Sequence, residues 1–177
     1  MKKMNHPNIV KLHEVIDDPN HHKIYLVMDY VEKGQVMSEA FWKHEGKEAD
    51  SVLDEEKAKK YFTDLVLGLD YIHNYAHVVH RDIKPENLLI TADDELKISD
   101  FGISHVVEDG ENDEITNQKG TKAFLAPEVY EKGPFKGKPA DVWAAGATLY
   151  FMLCGKPPFK TNNLMKLKKM IKEEEFQ

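Results

Sequence analysis

His80-Arg81-Asp82-Ile83-Lys84-Pro85-Glu86-Asn87, followed by Asp100-Phe101-Gly102, is the stretch from which the rest of the chain can be read. Between the two lie the triplets Leu88-Leu89-Ile90 and Leu96-Lys97-Ile98, separated by the acidic turn Asp93-Asp94-Glu95. Each triplet is strand-like, and the turn residues between them predict a small hairpin. Such a hairpin draws Asp82, Lys84, Asn87 and Asp100 to one rim. Two carboxylates, a carboxamide and an ammonium at one place suit a metal-bound polyphosphate and an attacking hydroxyl.

Three further pieces follow in order: Gly120-Thr121, Ala126-Pro127-Glu128 and Asp141-Val142-Trp143. Together with the loop above and Asp100-Phe101-Gly102 they resemble the eukaryotic protein kinases, whose catalytic loop reads H-R-D-L-x-x-x-N and whose metal triplet is D-F-G. The resemblance implies an α+β fold with a mostly α-helical large lobe and, from this chain, a remnant β-hairpin of the small lobe. It implies ATP and Mg2+ as cofactors and ATP-dependent phosphoryl transfer to serine or threonine of a protein substrate. Lys84, two residues after Asp82, is the serine/threonine form of the motif.

Roles follow by position. Asp82 is the general base that orients a hydroxyl and takes its proton late, and Lys84 neutralises charge on the transferred phosphoryl group. Asn87 and Asp100 are the magnesium ligands, both hard oxygen donors. By resemblance Met28 is the gatekeeper beside adenine, backbone groups of Asp29 and Val31 meet the purine, Gln35 stands where many kinases place an acidic ribose contact, and Leu89 is the apolar floor. His80 is expected to pack on Phe101, and Asp141 to bind the backbone of the catalytic loop. Arg81 is the residue that in similar kinases pairs with a phosphate on the activation segment, here 101–128, with Thr116 and Thr121 as candidate sites; Thr121 also stands where the resemblance implies a structural threonine contacting Asp82 and Lys84. The acidic run from Glu108 to Glu114 is the alternative partner standing in for that phosphate. The stretch from Gly34 to Met37 is similar to the calcium/calmodulin-dependent protein kinase kinase group, which makes the activation segment of another kinase one candidate substrate.

Composition sets the outer limits. With 177 residues, 41% hydrophobic and 31% charged, the chain fits one soluble domain with a real core. A net charge of −7 argues against a nucleic-acid surface. One cysteine, Cys154, excludes an internal disulfide and a cysteine-based zinc site. The apolar run 142–154 is too short to span a bilayer, and no secretory h-region opens the chain. The cytosol or the nucleus is the expected compartment; no membrane partner is expected, and the oligomeric state is open.

Along the chain, residues 1–10 resemble the end of a kinase αC helix and its following turn, with Pro7 stopping the helix. Residues 11–16 and 23–30 are strand-like around the turn cluster 17–20. Residues 1–33 are thus the end of the small lobe and the hinge, and 34–177 an incomplete large lobe. Residues 40–50 are polar and uneven, a helix end and variable loop. Asp54 is a good N-cap, with Glu55 and Glu56 favourable to the helix dipole. Phe62, Leu65, Val66, Leu69, Tyr71 and Ile72 predict an apolar face, which the family resemblance implies lies beneath the catalytic loop. His73, His77 and His80 lack zinc spacing and are read as structural. A second helix over 139–154 offers Trp143, Ala147, Leu149, Tyr150 and Leu153 as core, ended by Gly155 and Pro157. A third, over 163–171, carries Leu164, Leu167 and Ile171 on one stripe.

The family's glycine-rich loop, strand lysine and αC glutamate do not occur in this sequence, so a chain truncated at both ends is expected. The arginine that usually pairs with Glu128 is missing too, so Glu128 should be solvated or shifted. Three readings stay open: a serine/threonine kinase fragment, a non-catalytic kinase-like binding module, and a small-molecule phosphotransferase.

Overall fold

The structure, a computed structural model, describes residues 4–37, 52–108, 112–161 and 163–173. Its centre is a hairpin of β4 (Leu88–Ile90) and β5 (Leu96–Ile98), paired antiparallel with Leu88 opposite Ile98. The apolar ends alternate inward: Leu88, Leu96 and Ile98 are wholly buried. Both edges of the hairpin are covered. Ile9 bridges Ile98 in parallel, with the Val10 N–H donating to the Ile98 carbonyl and the Ile98 N–H to that of Asn8. On the other side residues 33–36 run antiparallel to β4 through the Lys33, Ile90 and Val36 amides. Covered edges leave no backbone donor row for a stray strand.

Upstream, β1 (Leu12–Asp18) and β2 (Lys23–Met28) form an antiparallel ribbon, with one register irregularity between Leu12 and Glu14. The second strand ends two residues short of expectation. There the Asp29 carboxylate turns back on to the Lys11 amide and the His13 ring. Only the root of this ribbon is anchored: Met4, Ile9, Val10 and Leu12 are buried, whereas all six residues of β2 are exposed. Residues 4–6, expected to close a preceding helix before Pro7, are not helical; residues 1–3 and the expected loop at 40–50 lie outside the described residues.

Under the hairpin lies α1 (Glu55–Asn74). Asp54 caps it by accepting from the Lys57 N–H at 2.8 Å, a contact worth about 1 kcal/mol. Its buried stripe is Ala58, Tyr61, Leu65, Gly68, Leu69, Ile72 and His73. Val66, expected on that stripe, is 45% exposed, and Phe62 and Tyr71 are half-buried. The contact line is set instead by Gly68, where a Cβ would stand 2.8 Å from Ile98 Cδ1. Leu65, Leu69 and Ile72 are buried as expected, and the close backbone approach at Gly68 adds that residue to the face.

Helix α2 (Gly137–Cys154) crosses α1 and buries Ala144, Ala145, Ala147, Thr148, Phe151 and Met152. Of the expected core set only Ala147 is fully buried; Trp143, Leu149 and Tyr150 are half-buried and Leu153 is 39% exposed. Small residues face α1 because the two backbones come close, which pushes the large side chains to the flanks. Gly155, at φ 68°, closes the helix with its N–H on the Phe151 carbonyl, as its sequence predicts. In α3 (Leu164–Glu173) Leu167 and Ile171 are buried with Phe159, while Leu164, expected beside them, is 40% exposed. Short strand pairs complete the fold: β3 (Val78–Val79) with β6 (His105–Val106), and β7 (Glu114–Ile115) with β8 (Phe135–Lys136). Among the described residues no helix is long and apolar enough to cross a membrane.

Candidate active site

Three elements position the catalytic loop, which runs from β3 to β4. From α2, the Asp141 carboxylate accepts the His80 and Arg81 backbone N–H groups, both at 2.8 Å, and the His73 ring from α1, also at 2.8 Å. It is 2% exposed. Arg81 has φ 74°, a left-handed conformation that a bulky residue adopts at a cost. The paired acceptor oxygens of Asp141 hold it there. From β5, the Ser99 N–H and Oγ both donate to the Asn87 carbonyl, at 2.8 and 3.0 Å. The Ser99 carbonyl in turn accepts the His80 Nε2–H at 2.9 Å.

His80 is wholly buried, edge-on to Phe101 with ring centroids 4.8 Å apart. Its other nitrogen, Nδ1, accepts the Asp82 N–H at 3.3 Å. One donor and one acceptor are what a neutral imidazole offers. Burial pushes the His80 pKa below its ordinary value, against the opposing charges of Asp141, Asp82 and Asp100.

The Asp82 carboxylate is the meeting point. Its Oδ1 accepts from the Thr121 N–H at 2.9 Å and the Thr121 hydroxyl at 2.8 Å. Its Oδ2 lies 2.8 Å from Lys84 Nζ and 3.2 Å from Asn87 Nδ2. Lys84 Nζ also donates to Thr121 Oγ1 at 2.9 Å. Burial raises the Asp82 pKa, but hydrogen bonds from Lys84 and Thr121 and the Lys84 charge outweigh it and leave the carboxyl below its usual range. Asp82 is therefore ionised at neutral pH. The seat of Thr121 depends on Gly120, at φ 114°, where a Cβ would fall 2.5 Å from the Arg81 carbonyl oxygen.

Asp82, Lys84, Asn87 and Thr121 are thus brought together. Asp100 enters through its neighbour Ser99; it is exposed, at φ 58°, and its Oδ1 accepts the Gly102 N–H. Asn87 Nδ2 donates to the Asp82 carbonyl at 2.8 Å as well as to its side chain, which turns Oδ1 the other way. One carboxylate and one amide oxygen are a donor set that fits a hard cation such as magnesium, which binds few protein ligands and keeps several waters. Among the described residues no cluster of three or more His, Cys, Asp or Glu could hold a metal.

The remaining expected residues lie on the ribbon and hinge side. Met28 ends β2 and is 41% exposed. The Asp29 N–H donates to the Lys11 carbonyl, so of its two backbone groups only the carbonyl is left for a purine. Val31 is buried, Gln35 bridges Leu89, and Leu89 is half-buried on β4. Thr116 is exposed just past β7. Arg81 Nη2 donates to the Asn117 carbonyl and Oδ1, while its buried Nε has no partner. Asp113 and Glu114 of the acidic run sit by Lys136 and the start of α2. Among the described residues, therefore, the acidic run does not take the phosphate's place at Arg81. Glu128 is half-buried and its carboxylate has no hydrogen-bond or ion-pair partner among the described residues.

Sequence reasoning missed Asn117, Ser99 and the role of His73, all joined to the site through backbone groups or across long separations. It also missed the Asp94 carboxylate, which accepts from Lys33, Lys60 and the Tyr61 hydroxyl. Asp94 has φ 66°, and a positive-φ turn residue between two strands was the available signal.

A profile of the protein kinase domain matches residues 1–177. The chain belongs to the protein kinase family. It is 46% identical over 169 residues to a probable serine/threonine-protein kinase of Dictyostelium discoideum, covering 93% of this chain and 22% of that protein. It is 42% identical over 177 residues to a calcium/calmodulin-dependent protein kinase kinase of Caenorhabditis elegans, covering 98% of this chain and 31% of the relative. With the serine/threonine-protein kinase ssp1 of Schizosaccharomyces pombe it shares 43% over 172 residues, 92% of this chain and 25% of ssp1. The chain therefore spans about a quarter of the length of these relatives.

Proposed function

We propose that this kinase chain carries the phosphoryl-transfer machinery of a serine/threonine protein kinase, acting on protein hydroxyls with ATP and Mg2+. One observation carries the reading. The Thr121 hydroxyl is held between Asp82 Oδ1 at 2.8 Å and Lys84 Nζ at 2.9 Å, which is how an acceptor serine must be held. A carboxylate there fixes the direction of the hydroxyl lone pair and accepts its proton at Oδ1 as the new ester bond to the γ-phosphorus forms and the bond from that phosphorus to the leaving ADP breaks. The neighbouring ammonium favours the transition state, where charge spreads over the phosphoryl oxygens. Asn87 and Asp100 would hold magnesium, which when bound neutralises the phosphates. Met28, Asp29, Val31, Gln35 and Leu89 would receive the nucleoside, with the cytosol or the nucleus as the compartment.

The test is magnesium-dependent labelling of a generic protein substrate from radiolabelled ATP. Asp82→Asn should lower the rate by about 10²–10⁴-fold, the usual contribution of a positioned general base, and chelation of magnesium should abolish it. Equal labelling by wild type and Asp82→Asn would end the proposal.

Regulation by phosphate on Thr116 belongs to the same reading. Thr116 is exposed next to Asn117, the residue that Arg81 holds, and the Arg81 Nε is without a partner. A phosphate there gives the guanidinium charge-assisted bonds that a carbonyl cannot match. Thr116→Ala should remove most activity from phosphorylated protein. Full activity of protein that mass spectrometry shows to be unphosphorylated would refute it.

A further inference from the structure

We propose that Asp94, on the turn between β4 and β5, is a positioning residue for the adenine nucleotide: it fixes the segment after the hinge against the strand that carries the floor of the purine site. The inference rests on the phosphoryl-transfer reading and adds to it a residue that lies outside every motif quoted above.

The turn does not need the Asp94 side chain to close. The Asp94 N–H donates to the Thr91 carbonyl at 3.1 Å, the Thr91 N–H to the Glu95 carbonyl at 2.9 Å, and the Glu95 N–H to Thr91 Oγ1 at 3.1 Å. An aspartate in a turn commonly bonds the backbone of that turn. Here, among the described residues, the donors on its carboxylate come from elsewhere. Lys33 Nζ and the Tyr61 hydroxyl donate to Oδ1 at 3.1 and 2.8 Å, and Lys60 Nζ to Oδ2 at 3.2 Å. The carboxylate therefore joins three segments: the chain after the hinge, the hairpin turn and α1.

Tyr61 makes this more than a surface ion pair. It is 3% exposed and belongs to the core, with its hydroxyl on Asp94. Burial and the Asp94 contact push the Tyr61 pKa above its ordinary value, so the hydroxyl keeps its proton and donates. Hydrogen bonds from Tyr61, Lys33 and Lys60 hold the Asp94 carboxyl below its usual range. An exposed pair is worth little when two long side chains must be ordered to make it. A carboxylate already fixed by a buried tyrosine leaves only the lysine to order.

A second contact runs the other way: the Ala92 N–H donates to Glu32 Oε2 at 3.0 Å. Residues 32 and 33 are thus both tied to the turn. They directly follow Val31, expected beside the purine, and lead into the pairing that sets Gln35 on Leu89. On its other side the hinge continues from β2, whose six residues are all exposed. The spacing between the hinge backbone and the Leu89 floor is accordingly set from the turn. Asp82 and Asn87 are held by separate contacts, from Thr121 and Ser99, and the loop backbone by Asp141. Loosening the Asp94 contacts should therefore weaken nucleotide binding and spare the transfer step.

Binding of the fluorescent nucleotide mant-ADP with magnesium is measured for wild type, Lys33→Met, Lys33→Arg and Asp94→Ala, and the ATP dependence of labelling in the same preparations. Lys33→Met and Asp94→Ala should bind mant-ADP about fivefold more weakly, the scale of one exposed charge pair lost. KM for ATP should rise by the same factor with kcat unchanged. Lys33→Arg keeps the charge and the reach and should bind as wild type does. Lys33 is exposed, so Lys33→Met decides the case even if Asp94→Ala folds poorly. Unchanged affinity in Lys33→Met, an equal loss in Lys33→Arg, or a fall in kcat at constant KM would each overturn the role of Asp94. Wild type that binds no mant-ADP refutes the nucleotide reading and the positioning role with it. Binding that depends on Lys33 without labelling that depends on Asp82 refutes the catalytic reading and leaves the role of Asp94 standing.

Discussion

At the scale of single residues the site is a matter of saturated hydrogen bonding. Each oxygen of Asp82 and of Asp141 accepts at least one donor, with Thr121 reaching Asp82, and His73, His80 and Arg81 reaching Asp141, from distant parts of the chain. Gly120 shows how narrow the tolerance is. An added methyl there meets the Arg81 carbonyl at 2.5 Å and Leu125 Cδ2 at 2.9 Å, at a φ that L residues rarely adopt. Gly120→Ala should therefore cost about 1–3 kcal/mol in urea unfolding, through backbone strain alone. It should also displace Thr121 from Asp82, so the labelling rate falls more than the stability loss explains. A variant with wild-type stability and rate would show that the close approach is unimportant.

At the scale of elements, the same apolar letters have different worth depending on what covers them. Ile9 is 2% exposed and stitches the ribbon root to β5; Ile24, in the middle of β2, is 67% exposed. Ile9→Ala should cost about 2–5 kcal/mol, the range for a large-to-small change in a closed core, whereas Ile24→Ala should stay within about 0.5 kcal/mol. Chemical denaturation of the two variants checks this. If Ile24→Ala matched Ile9→Ala, the ribbon would be packed on something it does not touch in this structure. A two-stranded ribbon is marginal alone, and its anchored root explains why it is present at all.

At the scale of the whole molecule, the buried neutral His80 links catalytic geometry to pH. Its folded pKa lies below the ordinary value of 6.5 because burial disfavours the imidazolium. Unfolded chains take up that proton as pH falls through about 6.5, while the folded protein does not, so the stabilisation is complete above about pH 6.5 and declines below it. Asp82 acts further down: its depressed folded pKa means a contribution present above about 3.9 and lost as pH falls through the folded value. Urea midpoints of the wild type should drop between pH 7 and pH 5.5. The drop should be smaller in His80→Phe, which keeps the ring contact with Phe101 and removes the titration. Identical slopes for the two proteins would assign the loss to other groups.

The motif order alone named the family, the β4–β5 hairpin, the N-cap at Asp54 and the glycine stop at Gly155, because each depends on a local pattern or on backbone geometry that few residues can adopt. The buried face of α1 was legible at Leu65, Leu69 and Ile72 but not at Val66, and that of α2 only at Ala147. The deciding contacts were the close approaches at Gly68 and along the alanines of α2, and small residues carry little hydrophobic signal. Nor could the sequence show that Asn117 holds Arg81, or that His73, 68 residues away, shares the Asp141 carboxylate with the loop backbone. Local chemistry is written in neighbouring letters. Hydrogen bonds and close packing between distant segments exist only once the chain has folded, and it was folding that turned a set of motifs into a single site.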